Sequence, residues 1–320
     1  MIRTIVTGGA GFIGSNVVQA LNARGVEDIL VVDDLNHPLK ERHLGRLAYA
    51  RYMDKGDLRP ALRRGEFEEV RQVFHLGACS STTEQDDAYL ADNNTAYTKE
   101  LAEWCLAGGR RFIYASSAST YGAGELGYSD DESLIPRLKP LNLYGKSKQA
   151  FDMIALRSGW LDKIVGLKFF NVFGPNEDHK GSMRSVIHKA YGQIQKTGKM
   201  GLFKSYHPDY PDGGQVRDFV YVKDVVAVIL WFLDHPDKNG IFNCGTGHAR
   251  SWVDLVRGVF AAMGREPDIE FIDMPEELRD HYQYFTEADL TKLRAAGCDH
   301  EFMTLESAID DYVKHYLVHE

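Results

Sequence analysis

Short apolar runs alternate with amphipathic stretches through the first half of the chain. Ile2–Val6, Ile29–Val32, Val73–His75, Phe112–Ala115 and Ile164–Phe169 have the length and composition of buried strands. Between them, Ser15–Ala23, Ala96–Leu106 and Lys148–Leu156 carry apolar side chains at helical spacing. Strand alternating with helix predicts an α/β fold, a doubly wound parallel sheet with ligand at the carboxyl ends of its strands. From Asn171 the texture changes, and loops such as Gly174–Gly181 and Tyr206–Gly214 become rich in Gly, Pro and His. Val216–Leu233 then returns to a strand-plus-helix pattern, and Gly240–Cys244 reads as one more short strand. This predicts a dinucleotide-binding domain over 1–170, rejoined by 216–243. A smaller mixed α/β substrate-binding domain would be drawn mainly from 171–215 and 244–320. The chain shows no internal repeat and no low-complexity segment.

Composition narrows the class of partner. Of 320 residues, 44% are hydrophobic and 26% charged, as in a water-soluble globular protein, and the formal net charge is −9. That balance argues against nucleic acid or an anionic membrane as the main partner. The longest uninterrupted apolar run, Val225–Leu233, is too short to span a bilayer. Cys79, Cys105, Cys244 and Cys298 are far apart with no CxxC pair, so reduced thiols are expected, with neither a disulfide frame nor a metal site. Met1 leads almost directly into the first strand, which predicts no signal peptide and a cytoplasmic location.

The chemistry begins at Thr7-Gly8-Gly9-Ala10-Gly11-Phe12-Ile13-Gly14, between the first strand and the first helix. There a pyrophosphate meets unpaired backbone N–H groups and the positive end of a helix dipole. Gly8 permits the tight turn, Gly11 lets the backbone approach the phosphates, and Gly14 lets the helix pack on the sheet. The second strand ends in Asp33, about 20 residues on, as a Rossmann-type dinucleotide site requires. Downstream, Tyr144 and Lys148 are four residues apart and share a helix face. A phenol titrates near pH 10, so a neighbouring ammonium is expected to lower it toward use as a base. Ser117 follows an apolar strand in Tyr114-Ala115-Ser116-Ser117-Ala118-Ser119-Thr120-Tyr121-Gly122, where its hydroxyl can bond a reacting oxygen. His75, at a strand end, reads as a packed structural histidine.

Together these residues resemble the extended short-chain dehydrogenase/reductase superfamily, and Arg217-Asp218-Phe219-Val220-Tyr221-Val222-Lys223-Asp224-Val225 is similar to another of its markers. Four further segments look like the ADP-glycero-manno-heptose 6-epimerase family. They are Gly77–Glu84, Phe170–Pro175, His179-Lys180-Gly181-Ser182-Met183 and Tyr282–Leu290. The resemblance implies inversion at carbon 6 of an ADP-linked heptose destined for lipopolysaccharide. The route runs through a transient ketone, with one NADP (NAD as the alternative) bound per subunit. It implies Tyr144 and Lys180 as acid/bases on opposite faces, Ser117 holding the oxygen, and Lys148 supporting Tyr144 and the nicotinamide ribose. Cofactor contacts are implied at Gly8, Gly11, Phe12, Ile13, Gly14, Asp33, Asp34, Lys40, Lys55, Leu76, Gly77, Ala78, Cys79, Ser80, Asn93, Lys148, Val172 and Lys180. Substrate contacts are implied at Asn171, Ser182, His188, Phe203, Arg217 and Tyr282, with Lys189 competing for the place of His188. It also implies a homo-oligomer, a homopentamer in the family.

The sequence departs from the family at Asp34, where an asparagine is common. It adds negative charge where an NADP 2′-phosphate would lie, while Lys40 and Lys55 supply the compensating cations. The Ser205–Gln215 loop is longer than in many relatives. A nucleotide-sugar 4,6-dehydratase would need an acidic pair after the strand-end serine, and here Ala118 and Ser119 follow Ser117. A 4-epimerase leaves the Lys180 segment unexplained, and a non-catalytic NADP sensor leaves both Tyr144 and Lys148 unexplained.

Overall fold

Seven parallel strands form the central sheet of the computed structural model, which describes residues 1–279 and 282–319. In chain order the strands are β1 (Thr4–Thr7), β2 (Ile29–Asp33), β3 (Arg51–Asp54), β4 (Gln72–His75), β5 (Arg111–Ser117), β6 (Val165–Phe169), β7 (Asn171–Phe173), β8 (Met200–Phe203), β9 (Val216–Tyr221), β10 (Gly240–Cys244), β11 (Ala249–Ser251) and β12 (Ile269–Ile272). The large sheet runs β10-β6-β5-β4-β1-β2-β3. The chain leaves β1 toward β2 and β3, then returns to lay β4, β5 and β6 on the other side. The crevice between β1 and β4 is therefore the switch point at which such folds bind ligands.

Why these segments are strands follows from where they sit. β1, β2, β6 and β10 are buried along their whole length, so they read as continuous apolar runs. Neighbouring residues feed opposite faces. Val6, Val31 and Phe74 pack toward helices Phe12–Ala23 and Val222–Asp234, while Ile5, Leu30 and Val73 pack toward Tyr97–Ala107 and Leu143–Arg157. A third apolar cluster joins helices Val186–Thr197, Trp252–Ala262 and Leu305–His315 beyond the strand ends. Of the stretch 216–243, helix Val222–Asp234 packs on the central sheet and β10 begins its edge, whereas β9 pairs with β7 and β11 in a separate three-stranded sheet.

Two helices begin earlier than their apolar spacing suggests. The first starts at Phe12, directly after Gly11, and the later one at Leu143. Asn142 caps the latter, its side chain accepting from the Gly145 N–H at 2.7 Å. That extra turn is the one that carries Tyr144.

Candidate active site

Backbone packing shapes the floor of the site. Gly8 adopts φ +68°, and a Cβ there would lie 2.6 Å from the Gly77 nitrogen. The ends of β1 and β4 thus meet glycine to glycine. At Gly14 a Cβ would lie 2.0 Å from the Gly8 carbonyl oxygen, so helix and turn could not close with any larger residue. This is a cradle for phosphate oxygens at a helix N-terminus. It opens into a cavity of about 690 Å³.

Asp33 stands at the end of β2 as expected, and its carboxylate is already engaged. Oδ2 accepts from the Ala10 N–H at 2.9 Å, and Oδ1 from the Asp34 N–H at 2.8 Å and from Lys40 Nζ at 2.9 Å. Lys40 Nζ also lies 2.8 Å from Asp34 Oδ1, and Lys55 Nζ 2.8 Å from Asp34 Oδ2. Burial works to raise the Asp34 carboxyl, but bonds from Lys40 and Lys55 outweigh it and hold the group below its ordinary value. The extra charge of Asp34 is therefore compensated within the chain. Two carboxylates and two ammonium groups form one neutral cluster at the far end of the cavity.

At the other end, Ser117, Tyr144 and Lys148 line the same cavity. Ser117 closes β5, and its Oγ accepts from the Ser119 N–H at 3.1 Å. The Lys148 ammonium donates to the Ala115 carbonyl at 2.8 Å and stands 6.0 Å from the centre of the Tyr144 ring. Burial presses Lys148 down to about 8, against an ordinary 10.5. The expected lowering of Tyr144 by Lys148 is not what the geometry gives. Burial raises the phenol, and only its side-chain hydrogen bond with Ser117 opposes that. The Lys148 ammonium donates instead to the Ala115 carbonyl, and burial of the phenol prevails. Nearby, Asn94 accepts from the Cys79 N–H at 2.9 Å and donates to the Cys79 carbonyl and to Ser147 Oγ, each at 3.0 Å. It sits in a π-helical turn, Ala91–Ala96, of a kind often found at functional sites.

Lys180 enters the same cavity from a separate element, the 3₁₀ segment Asp178–Met183. Its ammonium lies 5.1 Å from the centre of the Phe12 ring, and burial lowers it from its ordinary value. Gly181 follows at φ +55°, a conformation that breaks the helical turn. Polar ties fasten this segment across the dinucleotide cradle. His43 Nε2 lies 2.8 Å from Asp178 Oδ1 while its Nδ1 faces the Ala10 carbonyl at 3.1 Å. Asn16 donates to the Pro175 carbonyl at 2.9 Å, and Asn176 to Ser15 Oγ at 3.0 Å. His43, Asp178 and His179 place ligand-type atoms within 4.8 Å of one another. Two of the three are already bonded to each other, so the group works as a tie between the halves of the site.

A family model for "NAD dependent epimerase/dehydratase family" matches residues 4–245, which span the cradle, the Ser117–Tyr144–Lys148 set and the Lys180 segment. The chain belongs to that family. A relative from Nitratidesulfovibrio vulgaris named ADP-L-glycero-D-manno-heptose-6-epimerase is 56% identical over 314 residues, covering 98% of this chain and 97% of its own. Among solved structures, Helicobacter pylori ADP-L-glycero-D-manno-heptose-6-epimerase superposes with a TM-score of 0.81 at 26% identity, covering 98% of this chain and 96% of its own. Thermus thermophilus UDP-glucose 4-epimerase, solved as a complex with NAD, superposes with a TM-score of 0.77 at 27% identity, covering 99% of each chain.

In this epimerase/dehydratase family member, every residue that sequence reading assigned to cofactor lines the one cavity, together with Ser117, Tyr144 and Asn171. Ser182, His188, Phe203, Arg217 and Tyr282 lie outside its lining. Arg217 donates to the Val216 carbonyl at 2.8 Å and to the Gln283 carbonyl, and its guanidinium lies 5.8 and 5.5 Å from the centres of the Trp252 and Tyr282 rings. Trp252 itself lines the cavity, so Arg217 stands just behind its wall. His37, His179 and Arg184 line the cavity and escaped the sequence reading. For His179 and Arg184 the signal was only their adjacency to the Lys180 motif. His75 is fixed between Thr7 Oγ1 at 2.7 Å and Thr98 Oγ1 at 2.9 Å, and burial lowers it to about 3, as befits a structural histidine. The four cysteines are free thiols, and no helix among the described residues is long and apolar enough to cross a membrane.

Proposed function

We propose that this chain inverts carbon 6 of ADP-D-glycero-D-manno-heptose, giving the L-glycero epimer through a transient 6-ketone, with NADP as the resident cofactor. The carrying observation is that one cavity is lined by two titratable side chains on independent elements, Tyr144 on a helix and Lys180 on a separate segment. Inverting a carbinol through a planar ketone needs a proton donor in reach of the oxygen in each of two poses. A dinucleotide fits the glycine cradle and Asp33, and when bound it supplies hydride exchange at carbon 6. Ser117 would hold the reacting oxygen against Tyr144. Lys148, already fixed on the Ala115 carbonyl, keeps a positive charge beside the phenol. Lys180, with its ammonium weakened by burial, gives up or takes a proton more readily than an exposed lysine. Lys40 and Lys55, though paired with Asp33 and Asp34, are the cations on which a 2′-phosphate would draw, and the NADP reading rests on them. The identity to relatives named for this heptose favours the same substrate, and a homo-oligomer goes with that reading.

Incubation of the purified chain with ADP-D-glycero-D-manno-heptose should give the L-glycero epimer, resolved by chromatography. A carbon-4 epimer, a dehydrated product or unchanged substrate would overturn the proposal. Acid release of the bound dinucleotide followed by mass spectrometry should identify NADP. Finding NAD would correct the cofactor alone.

A further inference from the structure

Behind the Tyr144 wall lies an ion pair that the proposed chemistry does not use. Asp152 and Lys168 are 0% and 1% exposed, and Lys168 Nζ lies 2.9 Å from Asp152 Oδ2. Taking both charges out of water is costly, and an apolar pair of similar volume often serves stability as well or better. Their contacts point to another role. Asp152 accepts from Tyr114 Oη at 2.9 Å and from Ser116 Oγ at 2.7 Å, and Lys168 also donates to Thr120 Oγ1 at 2.7 Å. Tyr114 and Ser116 belong to β5, the strand that ends in Ser117. Thr120 sits in the turn that follows, where its hydroxyl donates to the Ser117 carbonyl at 2.8 Å. Lys168 belongs to the neighbouring β6. Asp152 belongs to the helix of Tyr144 and Lys148, at i+8 and i+4 from them, and so lies on the same face.

We propose that the Lys168–Asp152 pair is a positioning device that locks the depth and rotation of the catalytic helix against the end of β5. Through it, Tyr144, Lys148 and Ser117 are held in one register. The pair touches no reacting atom. Its charge also reaches the site, because the Asp152 carboxylate favours the charged form of Lys148 against burial. Fixed geometry of this kind matters most in the transition state, where a displacement of about 1 Å can cost on the order of 10²-fold in rate.

The inference rests on the catalytic reading of Tyr144, so the test carries Tyr144→Phe in parallel. Lys168→Met alone leaves an uncompensated buried carboxylate and endangers folding, so the informative variant is Lys168→Met with Asp152→Asn, which removes both charges together. It should keep bound dinucleotide and a KM for ADP-heptose within about twofold of the parent, while kcat falls by about tenfold or more. Lys168→Arg, which keeps the charge and can reach both partners, should retain most of kcat. In the same double variant the alkaline limb of the kcat–pH profile should move to lower pH, since Lys148 loses the carboxylate that favours its charge. A double variant with parental kcat, or one whose whole loss lies in KM or dinucleotide content, overturns the positioning role. If that occurs while Tyr144→Phe is inactive, the positioning role falls alone. If Tyr144→Phe epimerises at the parental rate, the catalytic reading falls and takes this inference with it.

Discussion

The two walls of the cavity are supported in opposite ways. The Tyr144 wall is part of the core: Phe151 of its helix is 2% exposed and packs edge-on against Tyr114 at 4.7 Å between ring centres. Ser117 ends a strand flanked by β4 and β6. The Lys180 wall has only half-buried and exposed residues in Asp178–Met183 and is held by His43, Asn16 and Asn176. Of the two proposed acid/bases, one is thus fixed by burial and the other by a few polar bonds. Burial gives geometry that survives single losses on the surface. Polar ties give geometry that can be released, and each bond carries only about 1 kcal/mol net.

The strongest test of this contrast is chemical. Tyr144→Phe and Lys180→Met should each lower kcat by about 10²–10⁴-fold while dinucleotide stays bound. Equal losses would show that weak support does not mean a minor role. A Lys180→Met variant with parental activity would make Lys180 a bystander and move the second acid/base elsewhere, with His188 the next candidate.

Cutting the supports should then separate the walls. Phe151→Ala should cost about 3–5 kcal/mol of stability, read from the denaturant midpoint. Asp178→Ala should cost no more than about 1–2 kcal/mol yet lower kcat by about tenfold, because Lys180 loses its tie. A larger stability loss for Asp178→Ala than for Phe151→Ala would reverse the comparison.

Titration probes the buried wall alone. Lys148 sits at about 8 in the folded chain against 10.5 ordinarily. Between those values the unfolded chain holds a proton that the folded chain lacks, so stability rises as pH climbs from about 8 toward 10.5. Below 8 the penalty is present in full. Lys148→Met should lack this rise, changing its stability relative to the parent by on the order of 1–3 kcal/mol between pH 7 and pH 10 for the unliganded chain. Parallel pH profiles for the two proteins would show that Lys148 is not the group responsible.

The smallest effect is expected at the far end. Lys40→Ala with Lys55→Ala should weaken NADP about tenfold more than NAD, since Asp33 and Asp34 are then left to repel a 2′-phosphate. Equal losses for both dinucleotides would show that the lysines serve only the aspartates.

What could be read beforehand follows the same division. β1, β2 and β10 emerged within about two residues, because strands buried on both faces leave continuous apolar runs. β3 escaped: it is an edge strand, Arg51–Asp54, with two exposed charged ends and one buried residue. The start of the Tyr144 helix was hidden by its polar opening Leu143–Ser147, where only the Asn142 cap marks the boundary. Tyr144 and Lys148 showed themselves by spacing, and the glycines by their turn. The partners of the segment that carries Lys180 could not be seen. His43–Asp178 spans 135 residues and Asn16–Pro175 spans 159, and nothing local in either segment encodes the other. The raised Tyr144 phenol was misjudged for a related reason, since spacing placed Lys148 on the right face but gave no hint of the burial that raises the phenol.

The order of strands in the large sheet has a consequence for how the chain is made. Its outer strand beyond β6 is β10, which arrives more than 70 residues after β6 in sequence. A chain emerging from the ribosome can assemble β1 to β6 long before Gly240–Cys244 exists to cover that edge. During the interval β6 presents unpaired backbone N–H and C=O groups on an apolar strand, an invitation to pair with another chain. A fragment ending near residue 170 should therefore aggregate on expression, where one extended through Cys244 and the rest of the chain stays soluble.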